Sequence, residues 1–279
     1  MWKRSLAMMV GLVVTGAALQ LGGPAAASSD RTGAVTAGSD VGARVSVGIG
    51  AAADAATIVG SWSMDETEGS VMTDASGNAL DGYIGSSVVK NWSTGNGGTG
   101  YHFFGPLNVQ NRERLALVDD NPMLDPGTGT YSVIVRFRTT GPRPNILQKG
   151  QSEDTGGYWK LVIHTGWPRC HYRDENYNTK AIGFVKSPDP NAKVNDGDWH
   201  VLRCERNANS VCVYLDEGTP TAMSRCIKGS IGLIDNKWPL SIGGKMRCDP
   251  LKAATTCDYF NGDIDWVRIE RPTAPFGSG

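Results

Sequence analysis

The densest group of side chains able to bind a ligand lies between residues 167 and 178, in the run WPRCHYRDENYN. Sugar recognition needs aromatic rings that stack on the apolar face of the sugar ring, together with planar polar groups that bind its hydroxyls. The run supplies both, and we predict ligand-binding roles for Trp167, His171, Tyr172, Arg173, Asp174, Tyr177 and Asn178. The alternative is that the aromatic residues cover one end of the fold while the polar residues solvate a loop.

Residues suited to catalysis are sparse. The chain has four histidines, His102, His164, His171 and His200. It contains no G-x-S-x-G, H-E-x-x-H or P-loop motif. Asp265 and Glu270 are the nearest carboxylate pair, but residues an odd number apart face opposite ways on a regular strand. Because a retaining glycosidase needs two carboxyl groups about 5 to 5.5 Å apart on one face, we predict that the protein is not an enzyme.

Charge and the first residues bear on partners and location. The 279-residue chain carries 27 basic and 28 acidic side chains. Nucleic acid is not expected as a partner, because phosphate binding needs clustered positive charge. Lys3 and Arg4 precede an interrupted apolar stretch that leads to the alanines at 25–27, the pattern of a secretory signal peptide over residues 1–27. The alternative is a retained membrane anchor, but the stretch is short for a bilayer span.

We therefore predict a secreted protein without membrane insertion. Residues 28–56 are rich in Ala, Gly, Ser and Thr and contain no aromatic residue, so we expect a disordered leader there. The folded domain is predicted over residues 57–272, followed by a tail at 273–279. We expect a monomer.

The cysteines all lie in the predicted exported part: Cys170, Cys204, Cys212, Cys226, Cys248 and Cys257. An even number of cysteines in an oxidising compartment favours disulfide bonds. Cys248 and Cys257 flank the polar run DPLKAATT, which a bridge would close. For the others we favour Cys170 with Cys204 and Cys212 with Cys226. A bridge between Cys204 and Cys212 competes, because both lie on one apparent hairpin.

The hydrophobic pattern alternates with a period of two, and Gly, Asn, Asp and Pro bound the runs, which predicts about a dozen strands and no long helix. The clearest runs are 132–138, 158–164, 199–206 and 211–215, the last two joined as a hairpin. So many strands favour an all-β, two-sheet antiparallel sandwich. We expect its core to contain four tryptophans, Trp62, Trp159, Trp199 and Trp266.

Several segments, in this order, resemble the laminin G-like, concanavalin A-like jelly roll: SWSMDE at 61–66, DASGN at 74–78, DGDWH at 196–200, VYLDEG at 213–218 and FNGDIDWVRI at 260–269. The resemblance covers nearly all of residues 57–272. It implies two packed antiparallel sheets whose first and last strands pair. It also implies a binding module for carbohydrate or cell-surface glycans, often with a calcium ion.

The calcium hypothesis rests on that pairing of the terminal strands. Calcium takes six to eight oxygen ligands, which carboxylates, amides and turn carbonyls supply. We predict Asp74, Asn78 and Asp263 as metal ligands, with Asp65 and Asp265 in reserve. A purely structural role is the alternative, because Asp, Ser, Gly and Asn form good turns. By the same reasoning, if Asp263 shares a face with Val267, its carboxylate would accept hydrogen bonds that fix a neighbouring loop.

These observations predict a secreted, non-catalytic module that binds a glycan or cell-surface polysaccharide and is stabilised by calcium. Concanavalin A-like folds also include polysaccharide-degrading enzymes, so a glycoside hydrolase is the main alternative. A structural protein of the cell envelope is a third hypothesis.

Overall fold

The computed structural model describes residues 56–95, 98–105, 109–248 and 257–272. The predicted signal peptide, nearly all of the predicted leader and the tail at 273–279 lie outside these residues. The described strands are β1 (Thr57–Trp62), β2 (Val71–Met72), β3 (Gly82–Ile84), β4 (Val89–Ser93), β5 (Thr99–Phe103), β6 (Ala116–Val118), β7 (Tyr131–Thr139), β8 (Asn145–Lys149), β9 (Tyr158–His164), β10 (Trp167–Arg173), β11 (Thr179–Gly183), β12 (His200–Arg206), β13 (Ser210–Leu215), β14 (Met223–Lys228), β15 (Leu240–Ile242) and β16 (Gly262–Arg271). Three short 3₁₀ helices span Arg112–Arg114, Pro122–Leu124 and Pro190–Ala192. No helix in these ranges is long and apolar enough to cross a membrane.

The strands form two antiparallel sheets of eight strands each. Sheet A runs β14-β13-β12-β7-β16-β5-β4, with β1 also paired to β16. Sheet B runs β11-β10-β9-β8-β15-β6-β3-β2. The all-β jelly-roll sandwich is therefore confirmed.

The first and last strands pair, as the resemblance implies. One edge of β16 lies along β7, while its other edge is shared between β5 and β1. Trp62 of β1 faces Val267 of β16, and Gly262 at the start of β16 faces Phe103 of β5. The end of the described chain is therefore held in the middle of sheet A.

The core fills the space between the sheets because alternate residues of each strand point inward. In β7 the inward residues are Val133, Val135 and Phe137, and in β9 they are Trp159, Leu161 and Ile163. Trp62 and Trp159 are fully buried, as predicted. The prediction was wrong for Trp199 and Trp266, which are only half-buried.

Three disulfide bonds join the sheets and loops in the favoured pairing. Cys170 of β10 is bonded to Cys204 of β12, which links sheet B to sheet A across the core. Cys212 and Cys226 are directly opposite each other on β13 and β14. Cys248 is bonded to Cys257, which packs with Leu115, Leu117 and Tyr259 in a second, smaller apolar cluster.

Candidate functional site

The structure changes the interpretation of the run 167–178. Its first seven residues form strand β10, hydrogen-bonded between β9 and β11, and are not a loop. Tyr172 points into the core, where it is fully buried, and its hydroxyl donates to the Cys204 carbonyl at 3.2 Å. The prediction that Tyr172 stacks on a ligand was therefore wrong, because its ring lies between the two sheets.

The polar residues that follow are occupied by the local backbone. The Arg173 guanidinium donates to the carbonyls of Gln151, Ser152 and Asp154. The buried Asp174 carboxylate accepts hydrogen bonds from the backbone amides of Asn176, Asn178 and Gly232 and from the Asn178 side chain, all at 2.9 to 3.0 Å. Burial raises the pKa of Asp174, but these bonds outweigh it and hold the pKa below its usual value. These residues shape a turn.

The other three predicted residues are at least partly accessible. Tyr177 is 61% exposed and lies against the Arg173 guanidinium. Trp167 is half-buried beside Lys193. His171 faces Lys160 across the strand pair, and burial, aided by the charges of Lys160 and Arg169, lowers its pKa to about 3. His171 is therefore neutral at physiological pH.

The predicted calcium ligands do not meet at one place. Asp74 accepts hydrogen bonds from the amides of Ser61, Ser76 and Leu80 and from the Ser76 hydroxyl. Asn78 donates its side-chain N–H groups to the carbonyls of Ile58 and Val59. Both residues attach the turn after β2 to β1, which is the structural alternative considered from the sequence.

Asp263 lies elsewhere, on the outer face of sheet A. A β-bulge between Ile264 and Trp266 shifts the register of β16, so Val267 and Ile269 point inward while Asp263 points outward. The prediction that Asp263 shares a face with Val267 was wrong, because it assumed an unbroken strand. Ser61, which Asp74 contacts, faces Arg268, which lies four strand steps from Asp263 across the bulge and therefore roughly 13 Å away along the strand.

The donor set thus does not fit one calcium ion. The reserve residues are engaged too, since Asp65 accepts from Thr99 at 3.0 Å and Asp265 is paired with Arg136. Among the described residues, no group of three or more His, Cys, Asp or Glu side chains is arranged to hold a metal ion. Calcium binding by this chain stays a prediction.

Three aromatic rings instead form a row on the outer face of sheet A, at the β4 edge. Trp92 of β4 stacks on His102 of β5, with ring centroids 4.4 Å apart and planes 27° apart. Phe104 packs edge-on against His102 at 4.5 Å. Trp92 is 39% exposed and Phe104 42% exposed. We call these three residues, with Trp199, the aromatic surface.

Hydrogen bonds to the Asp263 carboxylate hold the central ring and the neighbouring arginine in place. Asp263 of β16 accepts from His102 Nδ1 at 2.5 Å and from Arg138 Nε of β7 at 2.5 Å. Because His102, Asp263 and Arg138 are cross-strand neighbours in the register, one carboxylate binds both. The remaining imidazole nitrogen, Nε2, forms no hydrogen bond with any described residue.

Trp199 continues the surface across β7. The guanidinium carbons of Arg136 and Arg138 lie 4.4 and 4.8 Å from its ring centroid, and its indole N–H donates to the Thr94 carbonyl at 2.9 Å. Stacked arginines and the hydrogen bond hold the ring in one orientation. A rigid, half-exposed ring of this kind suits stacking on a flat apolar partner.

A shallow depression of about 200 Å³ adjoins these rings. It is lined by His102, Arg138, Thr139, Thr140, Gly197, Asn261, Gly262 and Asp263. Gly262 has a φ of +150°, and a side chain at this position would collide with the Arg138 carbonyl. Glycine here therefore lets β16 enter the sheet closely enough to place Asp263 beside Arg138.

The other carboxylates on this face are also paired with arginines. Arg203 bridges Glu205 and Glu217, and Arg268 binds Glu270 at 2.6 Å. All of these residues except the buried Glu205 line a second depression of about 370 Å³. Asp265 and Glu270 both point outward. The sequence predicted opposite faces for a regular strand, but the bulge between Ile264 and Trp266 brings both side chains to the same face. They remain far apart, at roughly 13 Å for four strand steps.

Comparison with known families agrees with this architecture. Residues 137–271 match the family model described as the laminin G domain. This region is laminin G-like. The match runs from the end of β7 to the end of β16 and includes Arg138, Trp199 and Asp263 of the candidate site.

Solved structures share the fold of this chain at low sequence identity. The binding domain of Paraclostridial mosquitocidal protein 1 has a TM-score of 0.55 and 14% identity, covering 78% of this chain and 50% of that chain. The botulinum neurotoxin serotype G binding domain has a TM-score of 0.53 and 14% identity, with 76% and 47% covered. The serotype D ligand binding domain, in complex with N-acetylneuraminic acid, has a TM-score of 0.51 and 14% identity, with 78% and 48% covered. The chain therefore spans about half the length of these structures, and they establish the fold alone.

The sequence held a signal for the aromatic surface of this laminin G-like domain. In the run TGYHFF at 99–104, Tyr101 and Phe103 are inward, so His102 and Phe104 must point outward. Two outward rings next to Trp92 indicate a binding surface. Its partners on β7 and β16 come together only through the sheet order.

Proposed function

We propose that the protein is an extracellular, non-catalytic module that binds a glycan at the aromatic surface. The row formed by Trp92, His102 and Phe104 carries this proposal. Its rings are held by neighbouring residues yet open to solvent, and they lie beside the hydrogen-bonding groups of Arg138 and Asp263. This combination of stacking surface and polar groups is what a sugar ring requires.

Two further observations support the class of ligand and the location. A solved structure of the same fold is a complex with N-acetylneuraminic acid, a sugar. Three disulfide bonds, with every described cysteine paired, suit an oxidising compartment outside the cell.

A glycoside hydrolase is the second candidate, and Glu205 is the observation that favours it. Burial raises the pKa of its carboxyl, as expected for a general acid, and Glu217 binds the same Arg203. However, the Glu205 side chain is only 1% exposed and does not line the depression beside it. A sugar cannot reach a carboxyl enclosed in this way, so binding is the better proposal.

The decisive experiment compares two exposed aromatic residues. We expect a glycan array to identify a ligand, and Trp92→Ala to weaken its binding at least about tenfold, or ~1.4 kcal/mol, in calorimetry. Tyr177→Ala is the control, because Tyr177 is also an exposed aromatic residue, at 61% against 39% for Trp92, but lies on the segment first predicted from the sequence. Both variants should melt within a few degrees of the wild type.

The opposite pattern would refute the site. If Tyr177→Ala abolishes binding while Trp92→Ala leaves it unchanged, the ligand binds beside β10. Release of reducing sugar from the bound glycan, abolished by Glu205→Gln, would establish the hydrolase instead.

A further inference from the structure

A larger cleft continues from the aromatic surface around the end of the sandwich. Its volume is about 410 Å³, within the range of ligand sites. Thr140 and Asn261 line both this cleft and the depression beside His102. The two cavities therefore meet at these residues and form one track.

The walls of the cleft are mainly apolar and are held in place. Pro142, Pro144 and Tyr259 line it. The Pro142 carbonyl accepts from Gly166 at 3.0 Å, and the Pro144 carbonyl accepts from Ile163 at 2.9 Å. The loop that follows β7 is thus hydrogen-bonded to the turn and strand behind it. A cleft formed in advance saves the entropy of ordering its loop on binding.

Polar groups with unused hydrogen-bonding capacity line the same cleft. The Arg143 guanidinium is exposed and forms no hydrogen bond or ion pair with any described residue. The Thr140 hydroxyl and the Asn261 side-chain N–H groups likewise have no partner within the described ranges. The Asn261 side-chain oxygen is already used, since it accepts from the Gly105 amide at 3.3 Å. Hydrogen-bond donors are thus spaced along a cleft whose walls are mainly apolar.

We propose that the track from Trp92 to Arg143 binds a linear glycan along its length, and that the cleft holds sugar residues beyond the one stacked at the aromatic surface. This inference rests on the proposed glycan-binding function. The ligand class is then an internal stretch of a polysaccharide chain, not a single terminal sugar.

The dimensions of the sheet require a ligand of this length. From β4 to β7 the track crosses three strand spacings, through β5 and β16, which is roughly 14 Å at about 4.8 Å each. Arg143 lies beyond that distance, in the loop following β7, on the cleft that Asn261 joins to the depression. One sugar ring stacked on Trp92 cannot reach Arg143, whereas a chain of several sugars can.

The test measures affinity against chain length. Calorimetry uses oligosaccharides of increasing length, prepared from the glycan that the array identifies, on wild type, Trp92→Ala, Arg143→Gln and Lys228→Gln. Lys228 is the charge-matched control, because it lies exposed on β14, at the opposite edge of sheet A from β4. We expect wild-type affinity to rise at least about tenfold from the shortest ligand to the longest.

The variants should then separate the two parts of the track. Arg143→Gln should remove most of the gain with length and leave the shortest ligand unaffected, while Trp92→Ala weakens every length and Lys228→Gln changes neither. Binding that does not increase with length, or an equal loss in Arg143→Gln and Lys228→Gln, overturns the inference but leaves the proposed function standing. The absence of binding to any glycan defeats the proposed function itself.

Discussion

Replacing Asp74 by alanine tests whether hydrogen bonds or a metal ion hold the turn after β2. The carboxylate accepts four hydrogen bonds of 2.7 to 3.0 Å, three from backbone amides and one from the Ser76 hydroxyl. At about 1 kcal/mol net for each bond, Asp74→Ala should lower the free energy of unfolding by about 4 kcal/mol. Asp74→Asn keeps one accepting oxygen, so we expect roughly half of that loss.

Urea unfolding of the purified domain, with and without EDTA, gives the answer. We expect EDTA to leave the wild-type midpoint unchanged, because the carboxylate oxygens are already used by the turn. Acid should weaken the same contact. The hydrogen bonds outweigh burial and hold the pKa of Asp74 below 3.8, so its contribution is present above pH 3.8 and is lost as the pH falls through the folded value. If EDTA lowers the wild-type midpoint but not that of Asp74→Ala, Asp74 is a metal ligand and our assignment is refuted.

Three further perturbations test the stability of the fold. Burial lowers the pKa of His200, but its contacts with two aspartates outweigh burial and hold the pKa above 6.5. The stabilisation is therefore full below pH 6.5 and is lost as the pH rises through the folded value, so His200→Gln should flatten the pH dependence of the melting temperature. Lys149 is 0% exposed and binds Asp125 at 2.8 Å, so Lys149→Met should cost about 3 to 5 kcal/mol in urea unfolding, and adding Asp125→Asn should restore part of it. Because Cys170 and Cys204 are 34 residues apart, replacing both by serine should cost about 3 to 4 kcal/mol, and an unchanged urea midpoint would contradict this account.

The sequence predicted those parts of the fold that bury an alternating face. Strand β9 begins and ends where the alternation places it, β12 and β13 differ by one residue at one end, and β7 is one residue longer at each end. All three favoured bridges form, although local sequence supported only the one between Cys248 and Cys257, which flank one polar run, while the hairpin favoured the competing pair Cys204 and Cys212. The strand limits and the Cys248–Cys257 bridge depend on the order of neighbouring residues along the chain, which a single sequence contains.

Strands without a clear apolar alternation were missed. Five of the six residues of β14, Met223–Lys228, are exposed, so its place is set by pairing with β13 and by the Cys212–Cys226 bond. In β10, charged residues and Pro168 suggested a loop. Yet Pro168, Cys170 and Tyr172 occupy alternate positions and point inward, and this alternation was the sequence signal for a strand. The short apolar run at 231–234 likewise forms only an isolated bridge between Ile234 and Gly127.

The candidate site was missed for a different reason. Its residues come from β4, β5, β7 and β16 and from the segment just before β12, and only the order of strands in sheet A brings them together. The bulge in β16 determines which way Asp263 points, and no residue type at 264–266 requires a bulge there. One sequence reveals which residues face inward, but it does not reveal which outward residues become neighbours.

That assembly also explains what kind of recognition the surface supports. On the outer face of sheet A, Asp263 neutralises Arg138, Asp265 neutralises Arg136 and Glu270 neutralises Arg268. Charges that cancel within the sheet attract a distant ion weakly, because screening already limits their reach to about 8 to 10 Å in physiological salt. The exposed rings and the remaining hydrogen-bond donors are then the groups left to bind a ligand. A surface of this composition discriminates by ring stacking and by the positions of hydroxyls, which are the features that distinguish one sugar from another.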